Sequence, residues 1–118
     1  MAHFQWLTHE GKQVLLLDFT GHSAQRVAEL AREVQQIITA QPPGSVRVLA
    51  DFTGTSITAD ALRAIAKAAA ADRRYVLRAA WVGASIPEAQ FRSFQDAAGR
   101  EVHRFGTRDQ ALEFLTED

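Results

Sequence analysis

Two copies of one tetrapeptide carry most of the potentially reactive side chains of this 118-residue chain: Asp18-Phe19-Thr20-Gly21 and Asp51-Phe52-Thr53-Gly54. His22 and Ser23 follow the first copy, and Thr55, Ser56 and Thr58 follow the second. Carboxylate, imidazole and hydroxyl are the parts of an acid, base and nucleophile set, so Asp18 or Asp51 with His22 and a loop hydroxyl would suit a small hydrolase. No nucleophile elbow of the Gly-x-Ser-x-Gly type accompanies them. The same residue types are what turns and caps need, because Asp, Ser and Thr side chains bond to nearby backbone amides and Gly accepts positive φ. The repeat therefore locates an edge of the fold and leaves the chemistry open.

Other chemistries find less material. His3, His9, His22 and His103 are scattered, without the four-residue helical spacing of a zinc site, and no metal is expected. The absence of cysteine excludes disulfides, thiolate zinc sites and cysteine nucleophiles. Neither a phosphate loop nor a glycine-rich dinucleotide fingerprint occurs, so no cofactor is expected and ATP hydrolysis and hydride transfer are set aside. Thirteen Lys and Arg against fourteen Asp and Glu leave a formal charge of −1, which gives no general attraction to nucleic acid. Trp6, Trp81, Phe19, Phe52, Phe91, Phe94, Phe105 and Phe114 have the apolar surface to line a pocket, but such residues usually form core.

The elements that must position these residues follow from periodicity. His3 to Thr8 and Gln13 to Phe19 read as a hairpin turning at His9-Glu10-Gly11-Lys12. Val14 to Leu17 form an unbroken apolar run, as in a strand covered on both faces, which predicts a central position for this second strand. Ser23 caps a helix whose inner stripe is Val27, Leu30, Ala31, Val34 and Ile38, ended by Gln41-Pro42-Pro43-Gly44. Val46 to Phe52 is a third strand, and Ala61, Leu62, Ile65, Ala66 and Ala69 mark an alanine-rich helix suited to close approach to the sheet. Ala79 to Val82 is a fourth strand, followed by Ser85-Ile86-Pro87-Glu88, a capping-box pattern for a helix closed near Ala98 by Gly99. Glu101 to Phe105 is a fifth strand, and Thr107 caps a last helix with Ala111, Leu112 and Leu115 inward.

The order ββαβαβαβα is an α/β fold: a mixed, mostly parallel five-stranded sheet with four helices, only the first strand running opposite. With 47% hydrophobic and 23% charged residues the chain has ordinary globular composition, and residues 1–118 are expected to make one domain. No apolar run approaches the roughly 20 residues of a membrane span. Met1 leads into His3, Gln5 and His9 without a basic region and apolar stretch, so the cytoplasm is the default expectation. Ligands of open α/β sheets bind outside the carboxyl ends of the strands. The candidate edge for a partner or ligand therefore holds Asp18, His22, Asp51, Thr53, Thr55, Ser56, Thr58 and Ser85, with the two tetrapeptide loops side by side on adjacent parallel strands.

This element order, with Val46-Arg47-Val48-Leu49-Ala50-Asp51-Phe52-Thr53-Gly54-Thr55-Ser56, resembles the STAS superfamily of anti-anti-sigma factors over essentially the whole chain. Arg78-Ala79-Ala80-Trp81-Val82-Gly83 and the stretch from Gly99-Arg100 through Phe105 to Ala111-Leu112-Glu113-Phe114-Leu115 look like its bacterial SpoIIAA-like subfamily, linked by fold to CRAL-TRIO lipid-binding domains. The resemblance implies a non-enzymatic regulatory or protein-interaction module with an unnamed protein partner. Switch-type members carry Asp-Ser-Ser-Gly at the head of the second helix, where a serine is phosphorylated, whereas this chain aligns Ala59-Asp60-Ala61-Leu62 there. Asp60 would be a permanent anion favoured by the helix dipole. The lipid-binding relatives imply the alternative of carrying a small apolar ligand, the hydrolase using Asp18, Asp51 and His22 is a weaker one, and a homodimer is one permitted assembly.

Overall fold

A computed structural model describes residues 4–55 and 57–117. Strands β1 (Phe4–His9) and β2 (Lys12–Asp18) pair antiparallel across a two-residue turn. Glu10 and Gly11 there both have positive φ, 52° and 75°, as the twist of a tight hairpin requires. The chain continues through α1 (Ala24–Thr39), β3 (Val46–Asp51), α2 (Ala59–Asp72), β4 (Val76–Val82), α3 (Glu88–Ala98), β5 (His103–Phe105) and α4 (Arg108–Leu115). The strands lie in the order β1-β2-β3-β4-β5, with β2 to β5 parallel to one another. The expected element order and strand directions are therefore present. His3, expected to open the first strand, lies outside the described residues.

Strand alternation divides the core between the two sheet faces. Leu15, Leu17, Val48, Ala50, Ala79 and Trp81 point to the face covered by α1, α2 and α3. Val14, Leu16, Leu49, Ala80 and Val82 point to the face that carries α4, whose Ala111 and Leu115 are fully buried. This two-sided burial explains the continuous apolar run of β2. That strand is interior, but β3 is the middle one. Lys12 Nζ and Arg78 Nη1 donate to the carbonyls of Thr116 and Phe114, giving the end of α4 the cations its dipole favours.

Several expectations need correction. Ser85 does not cap α3: Pro87 occupies that position without a side-chain bond, and its carbonyl accepts from Phe91 N. Glu88 does not fold back into a capping box because Arg104 of β5 draws it away, with Nη2 donating to the Glu88 carboxylate at 2.6 Å and Nη1 to the Ile86 carbonyl at 3.1 Å. Strand β4 starts earlier than expected, at Val76, after a 3-10 turn over Arg73–Tyr75, and β5 starts later, at His103. Trp6 is 41% exposed on the edge strand, not core, and Phe105 and Phe114 are only partly buried. In α2, Ile65 and Ala69 are partly buried, while Ala68 and Asp72 are buried. Its alanines do not close fully on the sheet, and a cavity of about 70 Å³ remains beneath them.

Candidate functional site

Asp18 and Asp51 are in register as the last residues of neighbouring parallel strands, so the two tetrapeptide loops leave the sheet side by side. Each loop makes the same turn. Asp18 Oδ1 accepts from Thr20 N at 3.1 Å and Thr20 Oγ1 at 2.6 Å. Asp51 Oδ1 accepts from Thr53 N at 2.9 Å and Thr53 Oγ1 at 2.7 Å. The repeat is thus a turn device in which aspartate fixes the amide and hydroxyl two residues on.

The loops are also braced against each other. Phe19 N donates to the Asp51 carbonyl at 2.9 Å, Gly21 N to the Thr53 carbonyl at 3.2 Å, and Thr55 Oγ1 to the Phe19 carbonyl. Phe52 N donates to the Val82 carbonyl at 2.8 Å, extending the bracing to the loop after β4. Gly83 there has φ +73°, and a Cβ at this position would lie 2.4 Å from Thr53 Oγ1, so the two loops touch where only glycine fits.

Arg108, the first residue of α4, completes the arrangement. Its Nε donates to Asp51 Oδ2 at 2.6 Å, and its Nη2 lies 3.6 Å from Asp18 Oδ2. Asp51 is 4% exposed, and the guanidinium supplies the counter-charge that its burial requires. Burial pushes both carboxyls up, but other contacts outweigh it and hold them below the ordinary carboxylate value. For Asp18 these are the Thr20 hydroxyl and amide, then the Arg108 and His22 charges; for Asp51 they are the Thr53 hydroxyl and amide and Arg108. Carboxylates held ionised in this way are suited to clamping, not to exchanging protons near neutral pH.

The remaining expected residues divide into separate groups. His22 Nδ1 donates to the Thr20 carbonyl at 3.0 Å, which uses the ring nitrogen a triad aspartate would hold. Thr58 caps α2 by accepting from Ala61 N at 3.1 Å. Asp60 lies in the first turn of that helix, exposed, and pairs with Arg63 one turn on. Ser85 is exposed in the loop before Pro87, and Ser56 lies outside the described residues. Among the described residues no group of three His, Asp or Glu side chains is placed to hold a metal ion, and no helix is long and apolar enough to cross a membrane.

Sequence reasoning missed Arg108, which reaches the edge from 57 residues beyond Asp51. One signal was present: arginine in the first turn of a helix opposes the dipole and calls for an anionic partner. It also missed Asp72 and Arg100, at the opposite end of the sheet face. Asp72 is 3% exposed and continues the inner stripe of α2. No protein-family model matches this chain, and no curated protein matches it in sequence.

Proposed function

We propose that this chain is a non-enzymatic regulatory or protein-interaction module of the STAS type, presenting its strand-end loops and the head of α2 to a protein partner. The observation that carries this reading is the cross-bracing of the loops after β2, β3 and β4, with Arg108 joining Asp18 and Asp51. A surface ordered before contact loses less conformational freedom on binding, which favours recognition. The hydrolase reading has weaker support, because both aspartates are held ionised by turn and guanidinium contacts and His22 uses Nδ1 on a carbonyl. Carriage of a lipid-sized ligand has weaker support too, since 70 Å³ is about half of the roughly 150 Å³ that accepts benzene.

Affinity capture with three baits tests this reading: the wild type, Asp60→Lys at the α2 head, and Lys67→Glu on the exposed side of the same helix. Asp60 is solvent-exposed and pairs only one turn along its own helix, so its reversal should leave the fold intact by circular dichroism. The expected result is one partner retained by wild type and Lys67→Glu and reduced several-fold by Asp60→Lys. Equal retention by all three, or by none, counts against the module reading.

A further inference from the structure

The cavity beneath α2 has one polar end. Leu17, Val34, Val48, Ala68, Trp81 and their neighbours supply apolar walls, and among the described residues the only charged lining ones are Asp72, at the end of α2, and Arg100, just past α3. Asp72 is 3% exposed, yet among the described residues it accepts no hydrogen bond and forms no ion pair, and it does not cap the 3-10 turn that follows it. Arg100 is half-buried. Its Nη1 donates to the carbonyls of Val76 at 3.3 Å and Arg73 at 3.5 Å, and Nε to that of Glu101 at 3.5 Å. These bonds hold the guanidinium in place and leave Nη2 without a protein partner among the described residues.

A buried carboxyl without partners normally finds some other hydrogen-bonding group, because burial without one is costly. We infer that the cavity is a binding site for a short-chain monocarboxylic acid, its carboxylate held between Arg100 and Asp72 and its alkyl tail lying against Trp81 and the α2 alanines. An ammonium would meet Arg100, and a purely apolar molecule would leave Asp72 unpaired. A carboxylate accepts from the guanidinium fork and from a protonated Asp72. The volume, about two waters' share of the liquid and about half of what accepts benzene, limits the ligand to about four heavy atoms, the size of acetate. This site is separate from the strand-end loops and does not depend on their role.

Protonation follows from the surroundings. Burial raises the Asp72 carboxyl to about 7, against the opposing charge of Arg100. Among the described residues no other titratable side chain lines the cavity: α1 contributes Ala31, Val34 and Ile38, α3 contributes Phe94, and the sheet presents apolar residues. Arg73, the next charged neighbour, lies over Gly99 with its side chain outside the lining. At about pH 6 most molecules carry the proton that a carboxylate ligand needs, and at about pH 8 about a tenth do, so apparent affinity should fall about tenfold.

Trp81 reports directly, since the chain has two tryptophans and Trp6→Phe leaves the cavity residue alone. In that background, acetate should quench Trp81 saturably and bind about tenfold more tightly at about pH 6 than at about pH 8, while acetamide and ethylamine bind at least tenfold more weakly. Asp72→Asn, which donates an N–H at any pH, should bind acetate with the same affinity at both values. Arg100→Gln should lose at least tenfold at both. The site is refuted if acetate gives no saturable change up to about 50 mM, if acetamide binds as well, or if Asp72→Asn keeps the pH dependence.

Discussion

Replacing Asp72 by asparagine should stabilise the protein above neutral pH and do so less in mild acid. The side chain is 3% exposed and has no hydrogen-bond partner among the described residues, so its ionised form is the one the fold disfavours. Its carboxyl stands at about 7 in the folded chain against an ordinary 3.8. Across that interval the folded state binds more protons than the unfolded state, so stability falls as pH rises from about 4 to about 7 and is level above. At about 1.4 kcal/mol per pH unit, full ionisation corresponds to a penalty of at most about 4 kcal/mol, of which about 3 accrues between pH 5 and 8. Arg100 and local relaxation reduce it, so about 1 to 3 kcal/mol is expected. Urea midpoints of wild type and Asp72→Asn at the two pH values measure the effect, and the difference between the two proteins cancels the histidines, which both share. With m-values of about 1 to 3 kcal/mol per molar, the variant's advantage at pH 8 should be on the order of 1 M. An Asp72→Asn variant whose difference from wild type is the same at about pH 5 and about pH 8 would refute the reasoning.

The clamp and the caps give two further expectations. Arg108→Ala leaves Asp51 buried with Thr53 as its remaining partner and should cost about 2 kcal/mol at neutral pH. Because the Asp51 carboxyl is lowered in the fold, its stabilisation is present above the ordinary carboxylate value and is lost as pH falls through the folded one. The gap between wild type and Arg108→Ala should therefore narrow below about pH 4 in denaturant titrations, and a gap of equal size at both pH values would contradict the clamp. Thr58→Ala and Thr107→Ala each remove a side-chain cap and should lower stability by about 1 kcal/mol, whereas Ser85→Ala should change it by less than about 0.5 kcal/mol. Equal losses from all three would show that the loop before α3 is capped after all.

The elements that were legible in the sequence are those governed by local physics. The stripe Val27, Leu30, Ala31, Val34 and Ile38 is the buried face of α1, and Ser23 and Thr107 cap as their types suggest. The unbroken apolar run of β2 and the intervening helices were enough to place Asp18 beside Asp51. What was not legible depends on contacts between distant residues. Ser85 to Glu88 has the pattern of a capping box, but Arg104 competes for Glu88 from 16 residues away. The two aspartates suggested a reactive pair, and only the arrival of Arg108 makes them a clamp. Asp72 sits where the helical period predicts an inward residue, but its significance depends on the cavity beside it and on Arg100.

The unshuffled strand order has a consequence for synthesis. Because β1 to β5 lie in space as they lie in sequence, each strand leaving the ribosome finds its neighbour already made, and the sheet can grow from one edge to the other without waiting for a distant segment. The contacts that α4 makes fall outside this progression. Lys12 meets Thr116, and Asp51 meets Arg108, only when the last helix emerges. A nascent chain lacking α4 would hold an assembled sheet whose second face is bare and whose buried Asp51 still lacks its guanidinium, so α4 acts as a latch on the sheet.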